Sequence, residues 1–255
     1  MPHTTHAAEP LLPAPPRIGC AGWSLPRALW PEFPREGSHL QRYAQRFGAV
    51  EIDTSFYRPH RRETYERWAA STPGAFRFAV KLPKAITHER RLADAMPAFD
   101  EFLAQAAGLG DRLGCLVVQL PPSLAFDEGL VRRFLADVRQ RHAGAVALEP
   151  RHRSWFAPAA QLLLSRLRVA RVLADPVLFD EAASPGGWPG LVYLRLHGSP
   201  RRYWSAYDDA LLARLAQRLV QAREEGAECW CVLDNTAGGE AVGNAMTLAR
   251  LVQNR

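Results

Sequence analysis

Ten residues that could do chemistry stand in the downstream parts of short apolar runs or in the loop that follows: Glu51, Asp53, Lys81, His88, Glu149, Arg151, Asp175, Arg195, His197 and Asp234. Alternate residues of an extended segment share a face, so Glu51 lies with Asp53, Glu149 with Arg151 and Arg195 with His197. Burying an unpaired carboxylate is costly, so a set of this kind must be paired internally. Five acids against three cations (Lys81, Arg151, Arg195) leave two negative charges over. Protonated His88 and His197, an acid that keeps its proton, or a bound divalent cation would each answer that surplus. Each also perturbs titration in the manner that acid–base sites exploit.

Lysine usage sharpens the choice. The chain has thirty arginines and two lysines, Lys81 and Lys84, both at the end of the third run. An ammonium can lose its proton where a guanidinium essentially cannot, so a site needing a neutralisable amine would keep lysine there. Glu149 and Lys81 are therefore read as an acid/base pair, with His88 or His197 as a second proton carrier and Glu51 beside them. Arg151, Arg195, Gln119 and Asp175 would bind the substrate. Trp23, Tyr57 and Trp155, with neighbouring arginines such as Arg153 and Arg201, form an arginine-and-aromatic rim suited to an anion with a flat or sugar-like part. Asn235, Gly238 and Gly239 open a helix, where glycine amides would seat a phosphate or carboxylate.

The elements that must position these residues are legible. Eight apolar runs recur: Arg17–Trp23, Ala49–Tyr57, Arg77–Pro83, Gly114–Pro122, Ala145–Trp155, Ala170–Pro176, Leu191–Gly198 and Cys229–Gly239. Helical spacing marks His39–Phe47, Met96–Ala106, Asp127–Arg141, Pro158–Arg168, Asp208–Glu225 and Ala241–Val252 between them, with Gly226 as a stop. Val177–Pro189 is the weak link. The cadence predicts one (β/α)8 TIM-type barrel over 17–255, with chemistry at the carboxyl ends of its strands. Residues 1–16, with five prolines, read as a disordered or extended leader.

Other barrel chemistries fit less well. Gln119 and Arg195/His197 stand where a two-carboxylate glycosidase would carry its acids, and strand one lacks the His-x-His of amidohydrolases. Lys81 qualifies for Schiff-base chemistry, although well-known aldolases place their lysine on strand six. The four cysteines lack zinc or redox spacing and read as buried core residues. The longest uncharged run, Leu113–Phe126, is too short to span a membrane, and the start lacks a secretory signal. A cytoplasmic protein is expected. Formal charge is +6, which leaves nucleic acid open as a partner, although an arginine-rich composition raises that background everywhere.

The runs IGCAGW, FGAVEIDTSFYRP, FRFAVKLPKAITH, LVVQLPPS, VALEPRHRSW, VYLRLHG and LDNTAGGEAVGNA occur in order from about residue 17 to 252. Together they resemble the family called domain of unknown function 72, or YecE-like. The resemblance implies a (β/α)8 barrel and supports the positions of Glu51, Lys81, His88, Gln119, Glu149, Arg151, Trp155, Asp175, Arg195, His197 and Asn235, without supplying a reaction. Asp234 departs from the aromatic or asparagine common at its position. Three functions follow as expectations: acid–base catalysis on a small anionic ligand, phosphorylated or nucleotide-like; a divalent-metal phosphodiesterase drawing on Glu51, Glu149, Asp175 and His197; or a binding barrel for nucleic acid or a metabolite.

Overall fold

A computed structural model describes residues 13–255, so most of the expected leader lies outside the described residues. Its last part is tied down: Arg223 donates to the carbonyl of Pro13 at 2.9 Å. Strands and helices alternate from β1 (Arg17–Cys20) through α1 (His39–Ala44), β2 (Ala49–Ile52), α2 (Arg62–Ala70), β3 (Arg77–Lys81), α3 (Met96–Ala106), β4 (Leu113–Gln119) and α4 (Glu128–Arg141) to β5 (Ala145–Glu149). Then come α5 (Pro158–Arg166), β6 (Ala170–Arg171), β7 (Leu173–Asp175), β8 (Gly186–Gly187), β9 (Leu191–Leu196), α6 (Asp209–Glu224), β10 (Glu228–Leu233) and α7 (Ala241–Gln253).

The strands form two sheets, ordered β1-β10-β9-β7 and β2-β3-β4-β5-β6-β8. Every pairing is parallel except β6 with the two-residue β8. The sheets approach each other twice. Between β1 and β2 the Tyr43 hydroxyl takes the place of ladder bonds, accepting from the Cys20 amide at 2.8 Å and donating to the Ala49 carbonyl at 3.0 Å. Gly19 makes room for it, since a Cβ there would sit 2.0 Å from the Ala49 carbonyl oxygen. A single bridge, Ala21 with Glu51, follows. On the other side one expected strand divides at Val172: β6 pairs with β5 and β7 with β9.

Interior packing crosses the gap between sheets. Ala49, Ala79, Cys115, Val117, Ala147, Ala170, Tyr193, Trp230 and Val232 belong to one buried cluster drawn from strands of both. Larger side chains such as Val50, Phe78, Leu148, Leu194 and Leu233 face the helices. Local signals set the helix ends: Ser38 and Gln41 form a capping box on α1, and Asp127 and Asp208 accept from the Leu130 and Leu211 amides. Gly226 ends α6 with φ at +93°.

Sequence spacing misses α2 because that helix buries only Tyr65 and has no capping side chain. The weak segment 177–189 holds one turn of 3-10 helix (Asp180–Ala182) and β8. Several expected strands also end early. After β2 and β5 the chain coils into 3-10 turns at Thr54–Phe56 and Arg153–Phe156. All four cysteines are buried free thiols, and burial pushes those of Cys20 and Cys229 up to about 12.

Candidate functional site

The period of two places a polar layer directly downstream of the interior cluster. Glu51 follows Ala49 by two residues, Lys81 follows Ala79, Gln119 follows Val117, Glu149 follows Ala147, Arg195 follows Tyr193 and Asp234 follows Val232. Strands that supply small apolar residues inward therefore supply these polar groups at the next inward position.

Arg195 is the centre of the layer and is fully buried. Its Nη2 donates to Glu51 Oε1 at 2.6 Å and its Nε to Glu51 Oε2 at 3.1 Å, while Nη1 donates to Glu149 Oε2. The same Nη2 lies 3.5 Å from Asp53 and 3.6 Å from Asp234. Tyr193, stacked on Trp230, donates its hydroxyl to Glu51 Oε2 at 2.9 Å. Arg151 reaches Glu149 Oε1 through Nε at 3.0 Å and Nη2 at 2.9 Å. Both oxygens of both glutamates are thus engaged by guanidinium groups, and a metal ion drawn to Glu51 and Glu149 would have to displace Arg195. No group of three or more His, Cys, Asp or Glu side chains among the described residues is placed to hold a metal.

The two glutamates titrate in opposite directions. Burial and the nearby Asp53 raise Glu51 above the ordinary range, against the pull of Arg195. Burial would also raise Glu149, but Arg195, His197 and Arg151 together outweigh it and hold Glu149 well below that range. Burial likewise disfavours charge on Arg195, yet Glu51, Glu149, Asp234 and Asp53 keep it firmly cationic. His197 Nδ1 meets Asp234 Oδ2 at 2.9 Å and Nε2 lies 3.7 Å from Glu149 Oε1. Against burial, those two acids raise its pKa.

Asp175 does not join this layer, correcting one sequence expectation. Its Oδ1 instead accepts from the Tyr207 hydroxyl at 2.8 Å. Four clustered acids then face Lys81, Arg151 and Arg195, leaving one negative charge, and the raised pKa of His197 between Asp234 and Glu149 favours the imidazolium that would offset it. His88, the other histidine expected to carry charge, is pushed the opposite way: burial, then Lys81, Arg151 and Arg91, lower its pKa.

Above this floor the site opens. Lys81 Nζ bonds Asp53 Oδ1 at 2.8 Å, and the Asp53 side chain is 29% exposed, against 1% or less for Glu51 and Glu149. Lys81 also sits 4.3 Å over the Phe56 ring, whose other neighbours are His88 at 4.9 Å and the exposed Tyr57 at 4.9 Å. Gln119 lies beside Glu149 in the β4–β5 register.

Other sequence candidates are placed elsewhere. Trp155 is fully buried with its indole N–H donated to the Leu124 carbonyl, so it supports the fold instead of contacting a ligand. Trp23 packs edge-on against Trp68. Asn235 ties Ser205 to Asn244. The amides of Gly238 and Gly239 donate to the carbonyls of Tyr203 and Thr236, which removes them as an anion seat. Gly238 is needed for close packing: a Cβ would lie 2.2 Å from the Trp204 carbonyl oxygen. A hollow of about 580 Å³ lies between the loops after β1 and β10, lined in part by Cys20, Gly22, Leu25, Thr236 and Gly239. At the rim Arg153 is paired with Glu181, and Arg201 stacks on Trp204.

Sequence reasoning left several contributors without a role. Asp53 and Asp234 stood only as members of the acid set, although their strand positions marked the inward face. Tyr193, two residues before Arg195, carried the same signal. Thr87 belongs to the FRFAVKLPKAITH run that carries the family resemblance, without a role of its own, and Tyr207 lies after a strand, where no periodicity points to it.

The family model described as protein of unknown function DUF72 matches residues 17–255. UPF0759 protein YunF of Bacillus subtilis is 24% identical over 264 positions, spanning 92% of this chain and 94% of YunF. UPF0759 protein YecE of Escherichia coli is 35% identical over 98 positions, 38% of this chain and 36% of YecE. Crystal structures of DUF72-family proteins from Thermotoga maritima and Enterococcus faecalis superpose with TM-scores of 0.77 and 0.75, each at 22% identity. The first covers 94% of this chain and all of its own, the second 93% and 95%.

Proposed function

The chain belongs to the DUF72 family, and we propose that it is an enzyme carrying out proton transfer on a small anionic molecule, phosphorylated or nucleotide-like, at the downstream ends of its strands. Its fold is read as a (β/α)8 barrel. The interior cluster shared by both sheets and their two close approaches support that reading. No helix among the described residues is long and apolar enough to cross a membrane, and a cytoplasmic setting suits a phosphorylated metabolite.

One observation carries the reading: Lys81, Arg151 and His88 gather above the ion pairs of Arg195, on the side where Asp53 reaches solvent. Lys81 and Arg151 have N–H groups beyond those that bind Asp53 and Glu149, and an anion placed there meets donors without removing the floor's partners. Proton transfer falls to the Lys81–Asp53 couple, which reaches solvent. Glu149, held ionised by three cations, serves as a fixed charge that orients Arg151 and His197; the acid/base role expected of it from the sequence passes to Asp53.

Binding to the folded state raises apparent stability by mass action, so thermal unfolding with inorganic phosphate, sugar phosphates, nucleotides and a polynucleotide tests this function. Stabilisation by small phosphorylated compounds, lost in Lys81→Ala and Arg151→Met, is expected. Equal stabilisation of the variants, or a response to polynucleotide alone, would overturn it.

A further inference from the structure

We infer that His88 is held as a neutral imidazole with its proton on Nε2, so that it donates a hydrogen bond to an oxygen of the bound anion and does not serve as a base. The donor role rests on the function proposed above; the protonation state rests on the structure around the ring alone.

Thr87 is the key to the assignment. It is fully buried, and its hydroxyl has one hydrogen-bond partner, His88 Nδ1 at 2.9 Å. A hydroxyl has a single proton to donate, and a buried O–H left without an acceptor is costly. The arrangement is satisfied when Thr87 donates and Nδ1 accepts, which places the ring proton on Nε2. A proton on Nδ1 would reverse that bond and strand the threonine proton. Nε2 carries no hydrogen bond among the described residues and is not among the buried unpartnered atoms, so it retains exposure to solvent.

The charged groups around the ring agree. Lys81 from β3, Arg151 from the segment after β5 and Arg91 from the same loop are all cations, and each disfavours an imidazolium. The Phe56 ring covers one side edge-on. A neutral imidazole among cations is suited to polarising an oxygen that gains negative charge, with Lys81 beside it.

The backbone that presents His88 is unusual and firmly held. Ala85–Glu89 form a π-helical turn, followed by left-handed φ values at Arg91 (50°), Leu92 (72°) and Asp94 (46°), none of them glycine. Such conformations persist only where the surroundings determine them, and they cluster at functional sites. Here buried Leu92 bonds the Ile86 carbonyl at 3.0 Å, and Arg91 clamps Ser123 through its hydroxyl and its carbonyl.

Nitrogen-resolved NMR of the histidine rings tests the inference on the full chain, with His88→Gln assigning the signal. A pyridine-type Nδ1 and pyrrole-type Nε2 at pH 7 are expected, with the Nε2–H resonance shifting on addition of inorganic phosphate. Thr87→Val should mix the tautomers, and Thr87→Ser should restore the single form. A proton on Nδ1, an imidazolium at pH 7, or phosphate binding that leaves Nε2–H unmoved would overturn the inference. Absence of any phosphate-induced stabilisation with the Nε2–H form intact would instead count against the proposed function and leave the tautomer standing.

Discussion

Arg195 concentrates the energetics of the site in one side chain. It is buried with Glu51 and Glu149 on opposite sides, so its removal leaves Glu51 with the Tyr193 hydroxyl and Glu149 with Arg151, each short of a partner where water cannot reach. Breaking a buried pair from one side costs roughly 3–5 kcal/mol, and Arg195→Met should lose at least that much in urea unfolding. Arg195→Lys should recover only part of it, because an ammonium cannot reproduce the forked contacts. A variant with unchanged unfolding midpoint would show that these charges are not coupled.

The titration of the floor has two signs. Glu149 is depressed in the fold, so its stabilisation is complete above the ordinary glutamate range and is lost as pH falls through the depressed value. His197 is raised, so its contribution is complete below the ordinary histidine pKa and disappears as pH rises through the raised one. Glu51, also raised, opposes Glu149 by favouring the folded state on the acid side. Melting temperature measured against pH should therefore fall on the alkaline side of the histidine range in the native chain. His197→Gln should lack that fall, and a variant retaining it would assign the fall to another group.

At the level of elements, alternation explains how much could be read in advance. Glu51, Lys81, Glu149 and Arg195 converge because each occupies an inward position on a parallel strand, and a period of two is visible in sequence. Residues beyond the strand ends escaped that logic. Gly238 and Gly239 matched a phosphate-loop pattern, yet their amides turn inward to close the loop on Tyr203 and Thr236. Asp175 sits at a strand end but is captured by Tyr207, a loop residue whose position no pattern announces. The charged helix α2 was illegible for want of an apolar stripe.

The Tyr43 hydroxyl is the element-scale device joining β1 to β2. Tyr43→Phe would leave the Cys20 amide and the Ala49 carbonyl without a partner. A stranded buried polar group costs about 1–3 kcal/mol, so a loss of that order is expected in urea unfolding. Phosphate-induced stabilisation should survive. An undiminished stability would mean that the junction is held by other contacts.

Over the whole molecule, one apolar cluster between sheets and helices runs through β1, β9 and β10 as well as β2 to β5. Far-ultraviolet circular dichroism and tryptophan fluorescence should therefore report one coincident transition; separated transitions would divide the sheets into independent units. The basic composition is a poor guide to function, because many arginines are engaged internally. Arg139 alone donates to the carbonyls of Leu167, Gly144, His142 and Arg168. The proposed function rests instead on the two-level arrangement, Arg195 and its carboxylates beneath the donors Lys81, Arg151 and His88.

A crystal soaked with inorganic phosphate tests that arrangement most directly. The anion should bind within hydrogen-bonding distance of Lys81 Nζ and His88 Nε2, beside Arg151, with the contacts among Arg195, Glu51 and Glu149 unchanged. Phosphate seated only in the hollow between the loops after β1 and β10, or drawn into the floor at the expense of those contacts, would contradict it.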